Sequence, residues 1–152
     1  MPSYDYSFVT NWKIRGPIGV VYEILKDGKS YARWWKPAYV ASEQISPDRI
    51  RSVVRSKFPY TLIFTTELVR DYPPSEIGIK SLGDLVGTGL WRLRQEGEWT
   101  FVIFDWNVRA EKKVIRWLSP FLKPFFRWNH DWVMEMGEAG LQNEVRAQEH
   151  VL

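Results

Sequence analysis

The sequence predicts an α+β fold in which one long C-terminal helix lies across an antiparallel sheet of about seven strands. Three observations predict it. Aromatic and apolar residues alternate with polar ones near the start and again through the middle of the chain. Turn residues punctuate that middle region at short intervals, leaving no room for a helix between Tyr39 and Arg109. Helical spacing appears only after the first strand and at the C-terminal end. Consecutive strands joined by short turns form a meander, and a lone long helix can bury its apolar face only against the sheet.

The elements follow in order. From Tyr4 to Ile14, Tyr4, Tyr6, Phe8, Thr10, Trp12 and Ile14 share one face, as in a half-buried strand. Gly16-Pro17 opens a helix with proline at its first position, and Asp27-Gly28 ends it. A second, short helix fits Ser30 to Trp35, capped by Ser30 and stopped by Pro37. Six strands are expected at 39–45, 49–57, 60–71, 76–82, 87–95 and 98–109, separated by Ser46-Pro47-Asp48, Phe58-Pro59, Tyr72-Pro73-Pro74, Gly83-Asp84 and Glu96-Gly97. Lys112 to Leu118 reads as a lead-in. Ser119-Pro120 reads as the cap and first turn of the long helix, with a bend expected at Pro124. Phe125, Asn129, Trp132, Val133 and Met136 recur on one helical face, and Gly137 and Gly140 are expected to weaken the end.

Composition bounds the function. A chain of 152 residues fits one domain, expected over residues 1–152. Cysteine is absent, which removes disulfides, thiolate metal sites and cysteine nucleophiles and suits a reducing, cytoplasmic home. The first residues lack a basic region followed by an apolar run, so no secretory leader is expected, and no stretch of 18 apolar residues could span a membrane. Net charge is +3, too mild to call for nucleic acid, and no nucleic-acid motif is present. Two distant histidines give no metal spacing. Gly87-Thr88-Gly89 precedes a strand and lacks a third glycine, so it is no dinucleotide fingerprint. Neither metal nor nucleotide cofactor is expected.

The order β-α-α-β6-α resembles the START-like, or SRPBCC, superfamily. The local residues that carry the resemblance are Gly16-Pro17 with Val21-Tyr22, the Trp34-Trp35-Pro37 cluster, Gly83-Asp84-Leu85 with Trp91, and Trp128-Asn129-His130 with Val133-Met134. The chain is most similar to the polyketide cyclase/dehydrase-like branch. The resemblance implies a helix-grip fold, with a curved antiparallel sheet of about seven strands wrapped around the C-terminal helix and a cavity between them. It transfers no catalytic residue, because these proteins share no universal catalytic motif and the fold hosts binders, carriers and enzymes alike.

Nine Trp, eight Phe and seven Tyr supply the wall such a cavity would need. The expected ligand-binding set is Trp34, Trp35, Tyr39, Thr66, Trp91, Phe104, Trp106, Phe125, Asn129 and Trp132. Asn129 stands out as a carboxamide on an apolar helical face, where it must find a hydrogen bond or lose stability. His130 is the acid–base candidate, since its ordinary pKa lies near neutrality. Asn129 and His130 are therefore the two catalytic candidates. Asp105 and Glu67 point away from their apolar neighbours and read as solvated. Basic residues cluster at Arg49, Arg51, Arg55 and Lys57, and again at Lys112, Lys113, Arg116, Lys123 and Arg127. Three functions fit: a binder of an apolar, lipid-, polyketide- or aromatic-like molecule; a cyclase- or dehydratase-like enzyme acting in the same cavity; and a protein-interaction or peripheral membrane-surface module using the basic clusters.

Overall fold

The computed structural model describes residues 6–55, 61–111 and 113–151, except the side chains of 113–123, 125, 126, 150 and 151. The alternating aromatic run forms strand β1 (Tyr6–Arg15), with Tyr6, Trp12 and Ile14 buried and every second residue exposed. Helices α1 (Ile18–Lys26) and α2 (Tyr31–Trp34) follow, joined by a short 3-10 turn at Gly28–Ser30. Six strands come next: β2 (Tyr39–Ser46), β3 (Arg49–Arg55), β4 (Thr61–Tyr72), β5 (Glu76–Gly83), β6 (Leu85–Glu96) and β7 (Trp99–Ala110). The chain ends in helix α3 (Lys113–Val151). Tyr4, Asp5 and the turn expected at Phe58-Pro59 lie outside the described residues.

The sheet order is β1-β7-β6-β5-β4-β3-β2, with every neighbour antiparallel. The two helices therefore carry the chain from one edge of the curved sheet to the other, and the six-strand meander returns it to β1. Period two sorts the residues into faces. In β7, Thr100, Val102, Phe104, Trp106, Val108 and Ala110 are buried, and each residue between them is only half-buried. The outer face is clad by cations over rings: Lys13 Nζ lies 4.2 Å from the Trp99 ring centroid and the Arg94 guanidinium 4.9 Å from that of Phe101. Asp105 pairs with Arg92 at 2.7 Å and Glu67 with Arg49 at 3.2 Å, so both carboxylates sit in surface ion pairs.

Three local expectations are corrected. Pro17 is the N-cap of α1, one position earlier than expected; having no side-chain acceptor, it leaves Ile18 N–H to donate to Gln95 Oε1 at 2.6 Å. Ser30 does not cap α2. Its backbone is already helical, and its hydroxyl donates to Asp27 O while accepting the Trp34 indole N–H at 3.0 Å. Helix α3 begins at Lys113 and passes through Ser119, Pro120 and Pro124 without a new start, so Ser119 is no cap.

Gly137 and Gly140, expected to weaken the end of α3, lie within it, with the helix running on to Val151. A Cβ on Gly137 would lie 2.5 Å from Trp35 Cε2 and 2.7 Å from Trp12 Cζ2; one on Gly140 would lie 1.9 Å from the Trp34 carbonyl oxygen. Only glycine lets the helix backbone come down onto the tryptophans here. Met134, Leu141 and Val145 bury the same face. The helix also covers the C-terminal end of the free border of β1. Lys13 N–H donates to Glu138 Oε2 at 3.0 Å and Arg15 N–H to Gln142 Oε1 at 2.8 Å, while Gln142 Nε2 returns a bond to Arg15 O at 3.0 Å. Glu138 and Gln142 are one helical turn apart, and Lys13 and Arg15 project on the same side of the strand, so the two periods match.

Candidate functional site

The inner face of the sheet, α1, α2 and α3 enclose a pocket of about 630 Å³. That is the size range of small-molecule sites. Strand alternation builds its floor: Leu62, Phe64, Thr66 and Leu68 from β4, Ile77 and Ile79 from β5, and Trp91, Phe104, Trp106 and Val108 from β6 and β7. Leu62, Thr66, Leu68 and Ile79 are only half-buried although they face inward, because the pocket lies over them. Asn129, His130, Val133 and Met134 of α3 form the roof. At the rim, Glu23, Lys26, Lys29, Arg33 and Asp48 are exposed. Behind the rim, the Tyr22 hydroxyl donates to Asp71, whose other oxygen pairs with Lys26 at 2.8 Å. The Lys26 hydrogen bond, helped by that of Tyr22, holds the Asp71 carboxyl below its ordinary range.

One side of the pocket is an aromatic block. Trp35 stacks on Trp34 at 5.3 Å and meets Trp12 at 5.4 Å and Tyr39 at 4.8 Å. Its indole N–H donates to the Val133 carbonyl oxygen at 2.7 Å, tying α2 to α3. Trp91 stacks on Phe104 at 4.0 Å, and Phe104 on Trp106 at 5.5 Å. Such contacts lock ring orientations, so this wall is preformed.

The polar groups on the wall are few. Asn129 is buried on α3, as its place in the helical pattern implied. Tyr39 is half-buried, and burial pushes its phenol well above the ordinary value. His130 is the unusual one. Its ring stacks on Phe8 with centroids 4.0 Å apart and planes within 11°. Both ring nitrogens are closed to solvent and lack a hydrogen-bond partner. The Asp131 carboxylate oxygen Oδ1 is 4.0 Å from Nδ1, too far for a hydrogen bond. Burial, with the nearby Arg127 charge, lowers the His130 pKa to about 4, so the imidazole is neutral at pH 7. An unsatisfied buried donor or acceptor costs about 1–3 kcal/mol, and His130 carries one of each.

Of the residues expected at the site, Trp35, Tyr39, Thr66, Trp91, Phe104, Trp106, Asn129 and His130 line this one pocket. Trp34 does not; it is buried beneath α3, with its carbonyl against Gly140 and its indole bonded to Ser30. Trp132 packs against the core without lining the pocket. The Phe125 side chain lies outside the described residues. Phe8, Leu62, Phe64, Ile77 and Ile79 also line it without having been singled out. Their signal was present as strand alternation, which marks an inward face without separating core from pocket wall. The His130–Phe8 stack joins residues from opposite ends of the chain and has no sequence signal.

No protein-family model and no curated protein matches the chain's sequence. Solved structures do match its shape. TTHA0849 from Thermus thermophilus aligns over 94% of this chain and 99% of its own, with a TM-score of 0.78 and 19% identity. A START superfamily protein from Mycobacterium smegmatis aligns over 93% of this chain and 98% of its own, with a TM-score of 0.70 and 13% identity. The chain has the START-like, helix-grip fold. Two further proteins of this fold are aromatase/cyclases. The Zhui aromatase/cyclase from Streptomyces sp. R1128 aligns over 93% of both chains at a TM-score of 0.69 and 14% identity. The di-domain aromatase/cyclase BexL of the BE-7585A biosynthetic pathway aligns at 0.71 and 18% identity, covering 91% of this chain and 49% of BexL. Among the described residues no helix is long and apolar enough to cross a membrane.

Proposed function

We propose that residues 1–152 act as one domain that binds an apolar small molecule, lipid-, polyketide- or aromatic-like, in the pocket between the sheet and α3. The observation that carries this reading is the pocket itself: about 630 Å³, walled by aliphatic and aromatic side chains, with a few polar groups placed among them. A site of this kind binds through apolar area and orients its ligand through the polar groups. Native mass spectrometry of freshly purified protein, followed by solvent extraction, tests it. A reproducible apolar companion, lost when Thr66→Trp fills the pocket, is the expected result. Uptake unchanged in a folded Thr66→Trp protein would refute it.

A second reading is a cyclase- or dehydratase-like enzyme in the same pocket. It is favoured by the neutral, unpartnered His130 beside Asn129 on the roof, and by the aromatase/cyclases among the proteins of similar fold. Holding a flexible chain in one reactive shape supplies much of such catalysis, and His130 would accept or donate the proton. Under this reading His130→Ala lowers turnover far more than it weakens ligand affinity. Equal losses in both would count against it.

A further inference from the structure

The pocket sorts its polar groups by charge. The charged side chains that line it, Glu23, Lys26, Asp27, Lys29, Arg33 and Asp48, are exposed or half-exposed at the rim. Deeper in the pocket no charged side chain lines the wall among the described residues; the polar groups there are Ser30, Ser52, Thr66, Asn129, His130 and the phenols of Tyr6, Tyr31 and Tyr39, of which the Tyr31 hydroxyl donates to Leu25 O. A carboxylate or ammonium drawn into that interior would lose its hydration and meet no counter-charge on the lining, since Arg127, the cation near His130, is exposed and does not line the pocket. A neutral imidazole instead offers one N–H donor and one bare nitrogen acceptor. In His130 both are shut away from water and unused. The groups around it leave them unused too. Phe8 of β1 gives only a ring face, Val133 and Met134 of α3 give apolar surface, and the Asp131 carboxylate stands off at 4.0 Å. The imidazole must turn off Phe8, toward the pocket that His130 lines, to use a nitrogen. A hydroxyl or carbonyl group is the partner that uses it without bringing a charge inside.

From this placement we infer that His130 is a specificity-determining residue, selecting an apolar ligand that carries a neutral hydroxyl or carbonyl group over the same skeleton bearing a carboxylate or no polar group at all. The inference rests on the pocket being a binding site, and goes beyond it by naming what the ligand must carry and which residue requires it. A neutral hydrogen bond replacing two buried, unused groups is worth roughly tenfold in affinity.

The test is equilibrium dialysis at neutral pH with three probes on one skeleton: a naphthol, naphthalene and a naphthoate. The expected result is a naphthol-to-naphthalene preference of roughly tenfold in the natural protein, a naphthoate weaker than both, and a preference falling to about one in His130→Phe. The imidazole nitrogen chemical shifts of His130 in the natural protein give an independent reading. They move with naphthol and stay with naphthalene, whether or not His130→Phe folds. A preference near one in the natural protein, a preference kept in the variant, or a tighter naphthoate overturns the inference while naphthalene binding leaves the pocket reading standing. Failure of all three probes to bind overturns both.

Discussion

Acidification should destabilise this fold through His130, and the size of the effect follows from its surroundings. The side chain is 13% exposed, stacked on Phe8 and without a hydrogen bond at either nitrogen. Burial, with Arg127 nearby, lowers its pKa from the ordinary 6.5 to about 4. The unfolded chain takes up this proton near 6.5, while the native state resists it until about 4. Between those values the unfolded state holds more protons, so stability falls as pH falls, and above the upper value the effect vanishes. At roughly 1.4 kcal/mol per tenfold change in proton affinity, the interval caps the loss at about 3 kcal/mol. Urea unfolding of the natural protein and His130→Phe at several pH values between 8 and 4 isolates the term. Contributions common to both proteins cancel in the difference. The natural protein should lose up to about 3 kcal/mol relative to the variant across that range. Parallel curves would refute the reasoning and show that the native imidazole finds a partner or solvent.

Three further outcomes follow from the packing. Alanine normally favours a helix over glycine by about 1 kcal/mol, yet Gly140→Ala should destabilise by about 2 kcal/mol or more, because its Cβ would fall 1.9 Å from the Trp34 carbonyl oxygen; thermal unfolding reads the sign directly. Gln142→Leu should cost about 1–2 kcal/mol in urea unfolding, since it removes both bonds to the Arg15 backbone. Trp35→Phe removes the bond to the Val133 carbonyl and should speed hydrogen exchange at the α2–α3 contact; unchanged protection there would mean that packing alone holds the two helices.

Element type and order were legible because the strand period of two and the helical stripe are strong signals and the turns carry glycine, proline and aspartate. The strand boundaries fell within a few residues of those observed. What could not be read is what depends on partners distant in sequence. Gly137 and Gly140 look like helix breakers until Trp34 and Trp35 are placed against them. Ser30 has the composition of a cap, but its hydroxyl is taken by the Trp34 indole. Trp34 and Trp35 are adjacent and chemically alike, yet one enters the pocket wall and the other is buried beneath α3. The choice between them is made by the phase of a four-residue helix, which no periodicity in so short a segment can report.

The side chains of Glu138 and Gln142 have a consequence for self-association. A sheet has two borders, and either can template the addition of a foreign strand. Here the N–H groups of Lys13 and Arg15 along one border are already occupied. The other border is β2, whose ladder with β3 shifts register between Tyr39 and Ala41 and again between Gln44 and Ser46. A foreign strand pairing along the full length of β1 would have to displace the two bonds to Glu138 and Gln142, so addition there is opposed at its Lys13–Arg15 end.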